Sequence, residues 1–288
     1  MVLALLRGGF FFCFHFFFSV YPFHMEIREF VKQRKEALAK QIVAMDRPPH
    51  LMIILANDDP ASASYDRGKM KDGAEIGANV EMRKFSPDVS EEELLQTIEI
   101  YNKDPDIDGI IVQLPLPKHI SEAKVKVTVD PKKDVDGFHP LSSFSPCTPL
   151  GIIHYLEEEQ FSFRGKNAVV LGRSNIVGKP MAKLLTAKDC NVTVLHSKTS
   201  EEDKAFYLAH ADLIVVAIGR LGFLDGRFAF KDSAVIIDVG INRGEDGKLH
   251  GDAAPNLPVA LQTPVPGGVG LLTRLALMEN LVEAVSKR

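Results

Sequence analysis

Ser62, Tyr65 and Lys69 stand at a spacing that places their side chains on one face of a helix, because residues three, four or seven positions apart lie above one another. Pro60 is suited to open that helix. A lysine partly removed from water gives up its proton more easily, and beside a tyrosine it can carry protons near neutral pH. The same spacing is also that of an ordinary helix with a solvated lysine, so both interpretations stay open on spacing alone.

Two further polar residues stand where a ligand could be held. Gln113 follows the apolar strand predicted over 109–112, and open α/β sheets place ligands at the carboxyl ends of parallel strands. Asp136 lies in an acidic turn, where one carboxylate can accept two N–H donors from a planar heterocycle such as an aminopyrimidinone. An Asp-Gly pair is also common in turns that bind nothing. The Pro- and Gly-rich loop 263–270 can approach a flat ligand closely or serve as a hinge.

The stretch 169–178 predicts a strand, a tight turn and a helix that together could hold a dinucleotide. Gly172 allows the turn, and Gly178 lets the helix lie close to the strand. The helix N-terminus then offers N–H groups and a positive dipole end to a diphosphate. The spacing is not G-x-G-x-x-G, so an ordinary strand–helix turn remains an equal alternative.

The end of the next predicted strand favours NADP over NAD. An NAD site usually carries an Asp or Glu there for the ribose 2′-hydroxyl, whereas this chain has His196 and Ser197 followed by Lys198. With Arg173 these donors could hold a 2′-phosphate, although a solvated basic turn has the same composition. Ala217 and the glycine two residues later end the following strand with small residues, as a nucleotide lying over the strand ends would need.

These residues need a scaffold, and the hydrophobic periodicity predicts an α/β fold. Helices are predicted over 26–45, 60–76, 90–103, 148–159, 177–188, 201–210 and 269–287. Strands are predicted over 51–55, 109–112 (within the apolar run 109–114), 167–171, 192–195, 213–217 and 235–239. Apolar strands alternating with helices indicate parallel sheets covered on both faces. In the first helix, Ile27, Phe30, Val31, Leu38, Ile42 and Val43 are predicted to share the buried side.

Two helix starts carry specific signals. Ser90 followed by Glu93 forms a capping box, and Thr148 followed by Pro149 is typical of an N-cap before a first-turn proline. We predict four segments: an extension over 1–24, a catalytic domain over 25–147, a Rossmann-type dinucleotide-binding domain over 148–267, and a final helix over 268–288 that returns to the first domain.

Composition narrows the function classes. A net charge of −4 over 288 residues gives no electrostatic case for nucleic acid. The three cysteines show no CxxC spacing, and the nine histidines include no HxxxH pair, so we expect no metal site. Reduced thiols favour a reducing compartment, and we predict a cytoplasmic protein that does not enter a membrane.

Residues 1–24 admit three interpretations. The phenylalanine-rich stretch over 9–23 is too short for a comfortable membrane span. It could be a targeting segment, a short interfacial anchor, or sequence ahead of a true start at Met25. The cysteine usage favours the third interpretation.

Taken together, five motifs stand in the same order as in a known family: 60–69, 112–117, 133–138, 172–178 and 263–270. From about Met25 to its end the chain resembles bifunctional methylenetetrahydrofolate dehydrogenase/methenyltetrahydrofolate cyclohydrolase. The resemblance implies NADP-dependent oxidation of 5,10-methylenetetrahydrofolate, hydrolysis of the methenyl product to 10-formyltetrahydrofolate, a role in one-carbon metabolism, and a homodimer formed through the cofactor domain.

The resemblance also implies roles for individual residues. Lys69 handles protons in hydrolysis, Tyr65 positions the folate, Gln113 hydrogen-bonds Lys69, and Asp136 grips the pterin ring. The other residues implied for the folate are Ser62, Leu114, Pro264, Gly267 and Gly268. Those implied for NADP are Gly172, Arg173, Ser174, Val177, Gly178, His196, Ser197, Ala217, Gly219 and Ile241.

Three departures from the family pattern stand out. The segment 141–145 is shorter than the family's loop, Asp66 follows Tyr65 where the family tends to have an apolar residue, and Leu271 replaces a usual proline. A different NADP oxidoreductase, a monofunctional dehydrogenase and a non-catalytic folate- or nucleotide-binding relative therefore remain alternatives.

Overall fold

The computed structural model describes residues 25–287, and within that range it leaves the side chains of residues 60–64 undescribed. The three interpretations of residues 1–24 lie outside the described residues. Within residues 25–287, no helix is both long and apolar enough to span a bilayer.

The first sheet has three parallel strands in the order β2-β1-β3. Its strands are β1 His50–Leu55, β2 Asn79–Lys84 and β3 Gly109–Val112. Four helices belong to this part of the chain: α1 Ile27–Val43, α2 Pro60–Ile76, α3 Glu91–Lys103 and α4 Glu122–Thr128. The central strand β1 is an almost unbroken buried run, as expected for a parallel strand covered on both faces. Ser90 is confirmed as the N-cap of α3, since its Oγ accepts a hydrogen bond from the Glu93 N–H at 3.1 Å.

The second sheet has five parallel strands in the order β10-β7-β6-β4-β5. They are β4 Asn167–Leu171, β5 Asn191–Leu195, β6 Leu213–Val216, β7 Val235–Asp238 and β10 Leu261–Gln262. A two-stranded antiparallel ribbon, β8 Asn242–Arg243 with β9 Leu249–His250, lies between β7 and β10 in the chain. The helices of this part are α5 Cys147–Glu158, α6 Gly178–Ala187 and α7 Glu201–His210. The order reverses around β4, which creates the crevice at the strand ends where such sheets bind nucleotides.

The last helix, α8 Val269–Ser286, returns to the first sheet, which confirms the prediction for the chain end. Its buried side chains share one core with α1, β1 and α5. Gly151 of α5 lies so close to α8 that an added Cβ would stand 2.4 Å from the Leu272 carbonyl oxygen. Asn280 of α8 donates a hydrogen bond to the Val135 carbonyl at 2.9 Å. The two α/β units are therefore joined through a shared pair of helices.

Several sequence-based expectations were wrong in detail. Thr148 is not an N-cap: α5 begins one residue earlier, at Cys147, and Thr148 Oγ1 instead lies 2.9 Å from Thr273 Oγ1. Val43, predicted on the buried side of α1, is 86% exposed because it lies in the last turn, beyond the core. Four strands and one helix were not predicted: β2, α4, β8, β9 and β10.

Candidate active site

Lys69 is the centre of the polar cluster in the first unit. It lies on α2, only 4% of its surface is exposed, and its Nζ donates a hydrogen bond to Gln113 Oε1 at 2.5 Å. Gln113 stands directly after β3, and its Nε2 donates to the Leu114 carbonyl at 2.8 Å, which fixes which amide atom faces the lysine. The contact that the resemblance implies between these residues is therefore present. A buried amine held by a neutral amide is well placed to exchange a proton with a bound molecule.

Tyr65 lies one turn before Lys69 on α2, and its ring centroid is 5.1 Å from Lys69 Nζ. Burial raises the pKa of the Tyr65 phenol above its usual value, and the nearby Asp136 carboxylate and Cys147 thiol raise it further. The phenol therefore stays neutral at physiological pH. It can hydrogen-bond or stack on a ligand, but it does not supply a negative charge.

Asp136 approaches the same cluster from the turn that follows α4. Burial raises the pKa of its carboxyl group, Lys69 nearby opposes that rise, and Asp134 adds to it. The Cys147 thiol beside it also has a pKa well above the usual range, because the thiol is buried and faces Asp136. Asp136, Lys69 and Tyr65 thus face one another, although they come from two separate stretches of chain.

Asp66 is a member of this cluster that the sequence interpretation did not assign to the site. Its side chain is fully buried, and its Oδ1 lies 3.1 Å from Lys69 Nζ. The i, i+3 spacing of Asp66 and Lys69 was visible in the sequence. Such pairs usually lie on the solvated face of a helix, so the spacing alone could not indicate burial.

The turn after β4 is closely packed around two glycines. Gly172 has φ +118°, and a Cβ at this position would stand 2.3 Å from the Ala217 carbonyl oxygen. A Cβ on Gly178 would stand 2.3 Å from the Gly172 carbonyl oxygen, so both glycines are required for the close approach of α6 to β4. Ser174 Oγ accepts hydrogen bonds from the N–H groups of Val177 and Gly178, at 3.1 and 3.3 Å. These two N–H groups, expected to face a ligand, are thus paired within the turn.

A cavity of about 290 Å³ opens beside this turn, at the carboxyl ends of three strands. Its lining includes Arg173, His196, Ser197 and Ala217, all of which were predicted from the sequence. It also includes three residues that were not predicted: Lys204, Arg220 and Phe223. Cationic side chains thus surround the place where a ribose phosphate would lie. Lys204 could not be predicted as a cavity residue, because it lies inside α7 and only the packing of that helix brings it to the cavity.

The chain matches two family models, and together they span almost all of it. Residues 22–136 match the model for the tetrahydrofolate dehydrogenase/cyclohydrolase catalytic domain, and residues 146–288 match that for the NAD(P)-binding domain of the same family. The chain belongs to the tetrahydrofolate dehydrogenase/cyclohydrolase family.

Relatives in this family are similar over nearly their whole length. The bifunctional protein FolD of Enterococcus faecalis is 45% identical, with 91% of this chain and 97% of the relative aligned. That of Bacillus subtilis is 43% identical, with 90% and 96% aligned. Among solved structures, the FolD dehydrogenase/cyclohydrolase of Campylobacter jejuni has a TM-score of 0.88 at 36% identity and covers 91% of this chain and 98% of its own. The Trypanosoma brucei enzyme, solved with NADP and an inhibitor, has a TM-score of 0.87 at 29% identity and covers 93% and 98%.

Asp252 has a structural role beside the candidate site that was not predicted from the sequence. Its carboxylate accepts hydrogen bonds from three consecutive N–H groups, those of Ile218, Gly219 and Arg220, at 2.7 to 2.9 Å. The turn after β6 is therefore held by a fully buried acid about thirty residues further along the chain. A carboxylate that accepts several N–H donors is a strong local anchor.

The remaining residues predicted for the site lie in several different places in the structure. Pro264 lines a cavity of about 600 Å³ that also contains Asp238, and Gly267 lines a separate groove beside α1. Ile241 is largely exposed, next to the ribbon formed by β8 and β9. Leu114 lies beside Asp136 in a small internal cavity. The Ser62 side chain is among those left undescribed.

The short segment 137–146 of this family member lies between the two units. With α6 it lines a cavity of about 420 Å³, and the α6 side of that cavity includes Asn175 and Lys179. Asp134 holds the start of the segment, because the His139 N–H donates to its carboxylate at 2.7 Å. The segment therefore stands beside the turn that follows β4 and forms one wall of the space between the sheets.

Proposed function

We propose that this chain oxidises 5,10-methylenetetrahydrofolate with NADP and then hydrolyses the methenyl product to 10-formyltetrahydrofolate. The observation that carries the proposal is the buried contact between Lys69 Nζ and Gln113 Oε1, 2.5 Å long, in a chain that also contains a dinucleotide-binding turn. The similarity to bifunctional FolD proteins over nearly their whole length supports both steps.

The residues at the NADP site fit the cofactor. A Cβ at Gly172 would clash with the Ala217 carbonyl oxygen, where the turn after β4 passes close to the end of β6. Cationic side chains line the adjacent cavity. When bound there, NADP would supply the hydride acceptor for the methylene carbon. Arg173 and Ser197 would bind the 2′-phosphate through charge-assisted hydrogen bonds, and this is the basis for proposing NADP rather than NAD.

The folate would bind against α2 and the end of β3. Tyr65 presents a neutral ring to it, and Asp136 would accept N–H donors from the pterin. The family's motif also assigns Pro264, Gly267 and Gly268 to the folate, although Pro264 and Gly267 line two other cavities. Each of these assignments rests on the family's motifs and on the positions of the residues around Lys69.

Hydrolysis needs a water molecule and a proton carrier. Water adds to the methenyl carbon, one carbon–nitrogen bond breaks to leave the formyl group on N10, and one proton is released. The methenyl group is cationic, so a neutral Lys69 amine that takes the proton from water fits better than an ammonium group beside it. Gln113 would hold the amine in position through the hydrogen bond described above.

Three finer features belong to the same proposal. We infer a homodimer through the cofactor domain: β5 is an edge strand, and Phe206 and Tyr207 on neighbouring α7 expose large aromatic rings. We infer a cytoplasmic location, since Cys147 and Cys190 are both buried free thiols. We also propose that the catalytic domain ends at residue 147 and the dinucleotide-binding domain at residue 267.

The test mixes the purified protein with 5,10-methylenetetrahydrofolate and NADP, with NAD in parallel, and follows NADPH and the methenyl absorbance. Formation of NADPH with only a transient methenyl band would support both activities. A methenyl band that persists while NADPH forms would leave a monofunctional dehydrogenase. Formation of neither NADPH from NADP nor NADH from NAD would overturn the proposal.

A further inference from the structure

Asp66 is a buried acid for which the proposed reaction has no assigned role. It is fully buried on α2, and its Oδ1 lies 3.1 Å from Lys69 Nζ. Its second oxygen, Oδ2, is buried and has no hydrogen-bond partner among the described residues. Burying a carboxylate is costly unless a cation or several donors accompany it. This cost needs a compensating interaction, and Lys69 is the only cation within ion-pair distance of Asp66 in the described part of the chain.

A second buried acid on the same helix provides the contrast. Asp72 also has almost no exposed surface, but it has two cationic partners, Lys35 and Arg274, the latter at 2.8 Å. That arrangement ties α1, α2 and α8 together and is explained by helix packing alone. Asp66 joins no second element in this way, because its ion pair is with a residue one turn away on its own helix.

We propose that Asp66 is a positioning residue that acts through Lys69, and this inference deepens the function proposed above. Asp66 and Gln113 take one N–H donor each from the lysine amine. An ammonium group has three N–H donors, and a neutral amine has two donors and a lone pair. In either state the third direction is left for a bound molecule. Asp66 thus aims the amine and places a negative charge next to the position where the methenyl cation forms.

Other ionisable groups face the same amine from neighbouring elements. Asp136 approaches from the turn after α4, where Asp134 acts on it, and the Cys147 thiol approaches from α5. The Tyr65 ring centroid lies 5.1 Å from Lys69 Nζ. Two cations, Lys126 on α4 and Arg274 on α8, act on the same cluster. Asp66 is distinguished from the other acids here by direct contact with Lys69 Nζ.

A spectroscopic test does not depend on turnover. In protein labelled with ¹³C and ¹⁵N on lysine, the Lys69 side-chain signal is assigned by its loss in Lys69→Met and then followed against pH. Its titration midpoint should move to lower pH by about one unit or more in Asp66→Asn, because removing an adjacent negative charge favours the neutral amine. Asp66→Val removes the same charge without a buried amide, and it should shift the midpoint in the same direction if Asp66→Asn folds poorly. Asp72→Asn is the matched control and should leave the midpoint unchanged.

The kinetic test uses the same variants. In Asp66→Asn more of the amine is neutral, but the amine has lost one of its two holding groups and the negative charge beside the methenyl cation is gone. We therefore expect kcat for methenyl hydrolysis to fall about tenfold or more, with KM for the folate changed by less than about threefold. The limb of the pH profile that reports on Lys69 should move to lower pH, which a merely structural loss would not cause. Asp72→Asn should keep the parent kcat and profile. An unmoved Lys69 titration in both Asp66 variants would overturn the inference, whereas an inactive parent enzyme would overturn only the proposed function.

Discussion

Replacing Lys69 by methionine should cost both stability and hydrolysis, because it leaves the buried Asp66 carboxylate without a cation. Removing one partner of a buried ion pair costs about 3–5 kcal/mol. Since 1 kcal/mol moves the Tm of a protein of 150–250 residues by roughly 2–4 °C, we expect a fall of roughly 6–20 °C. Methenyl hydrolysis should fall about 10²- to 10⁴-fold, the usual contribution of a positioned proton carrier. NADP should still bind, because the cavity that would hold it lies on the second sheet.

Three assays check this prediction: thermal and urea unfolding, decay of the methenyl absorbance, and NADPH binding by fluorescence. Lys71→Met is the matched control, since Lys71 lies on the same helix with 76% of its side chain exposed and a long 3.7 Å pair with Glu75. Its stability should stay within about 0.5 kcal/mol of the parent. The double variant Lys69→Met/Asp66→Asn should recover much of the lost stability. A double variant no more stable than Lys69→Met would refute the energetic reasoning, and hydrolysis close to the parent rate would refute the catalytic assignment.

Three other variants test the rest of the site. Gly172→Ala should abolish NADPH binding in a fluorescence titration, because the new Cβ would stand 2.3 Å from the Ala217 carbonyl oxygen; Gly226→Ala, which points into open space, should bind normally. Arg173→Ala should lower the NADP/NAD ratio of kcat/KM about tenfold to a hundredfold, and an unchanged ratio would remove this residue from the 2′-phosphate site. Asp136→Asn should lose folate affinity yet have a higher Tm than the parent at pH 7. The raised pKa of Asp136 means that ionisation costs the folded state stability, so this gain should vanish below about pH 4, where the carboxyl is protonated in the folded and unfolded states alike.

The elements that carry the site were predictable because their signals are local. A first-turn proline and helical periodicity give α2 its observed bounds, Pro60–Ile76, and an apolar run gives β4, Asn167–Leu171. The missed elements lack such signals. Strand β2 lies at the sheet edge with mostly exposed residues, half of them charged, and α4 is only seven residues long.

The residues of the candidate site also fall into some that could be predicted from the sequence and some that could not. Tyr65, Lys69 and Gln113 were predictable because each lies at a position that its own element defines. Asp66 and Asp252 were not, because their roles depend on burial and on partners brought together by the fold. An acid in a helix or loop is usually solvated, and only the tertiary packing distinguishes these two.

The return of α8 to the first sheet has a consequence for the order of events during synthesis. Much of the core beside α1 and β1 comes from α8, including Leu272, Leu275, Met278 and Leu281. That core cannot close until α8 has left the ribosome, although its strands precede α8 by more than 150 residues. The second sheet, by contrast, has all its strands before α8 begins. We therefore expect the second sheet to be able to form before the first core closes, unlike the usual vectorial order in which the N-terminal unit folds first.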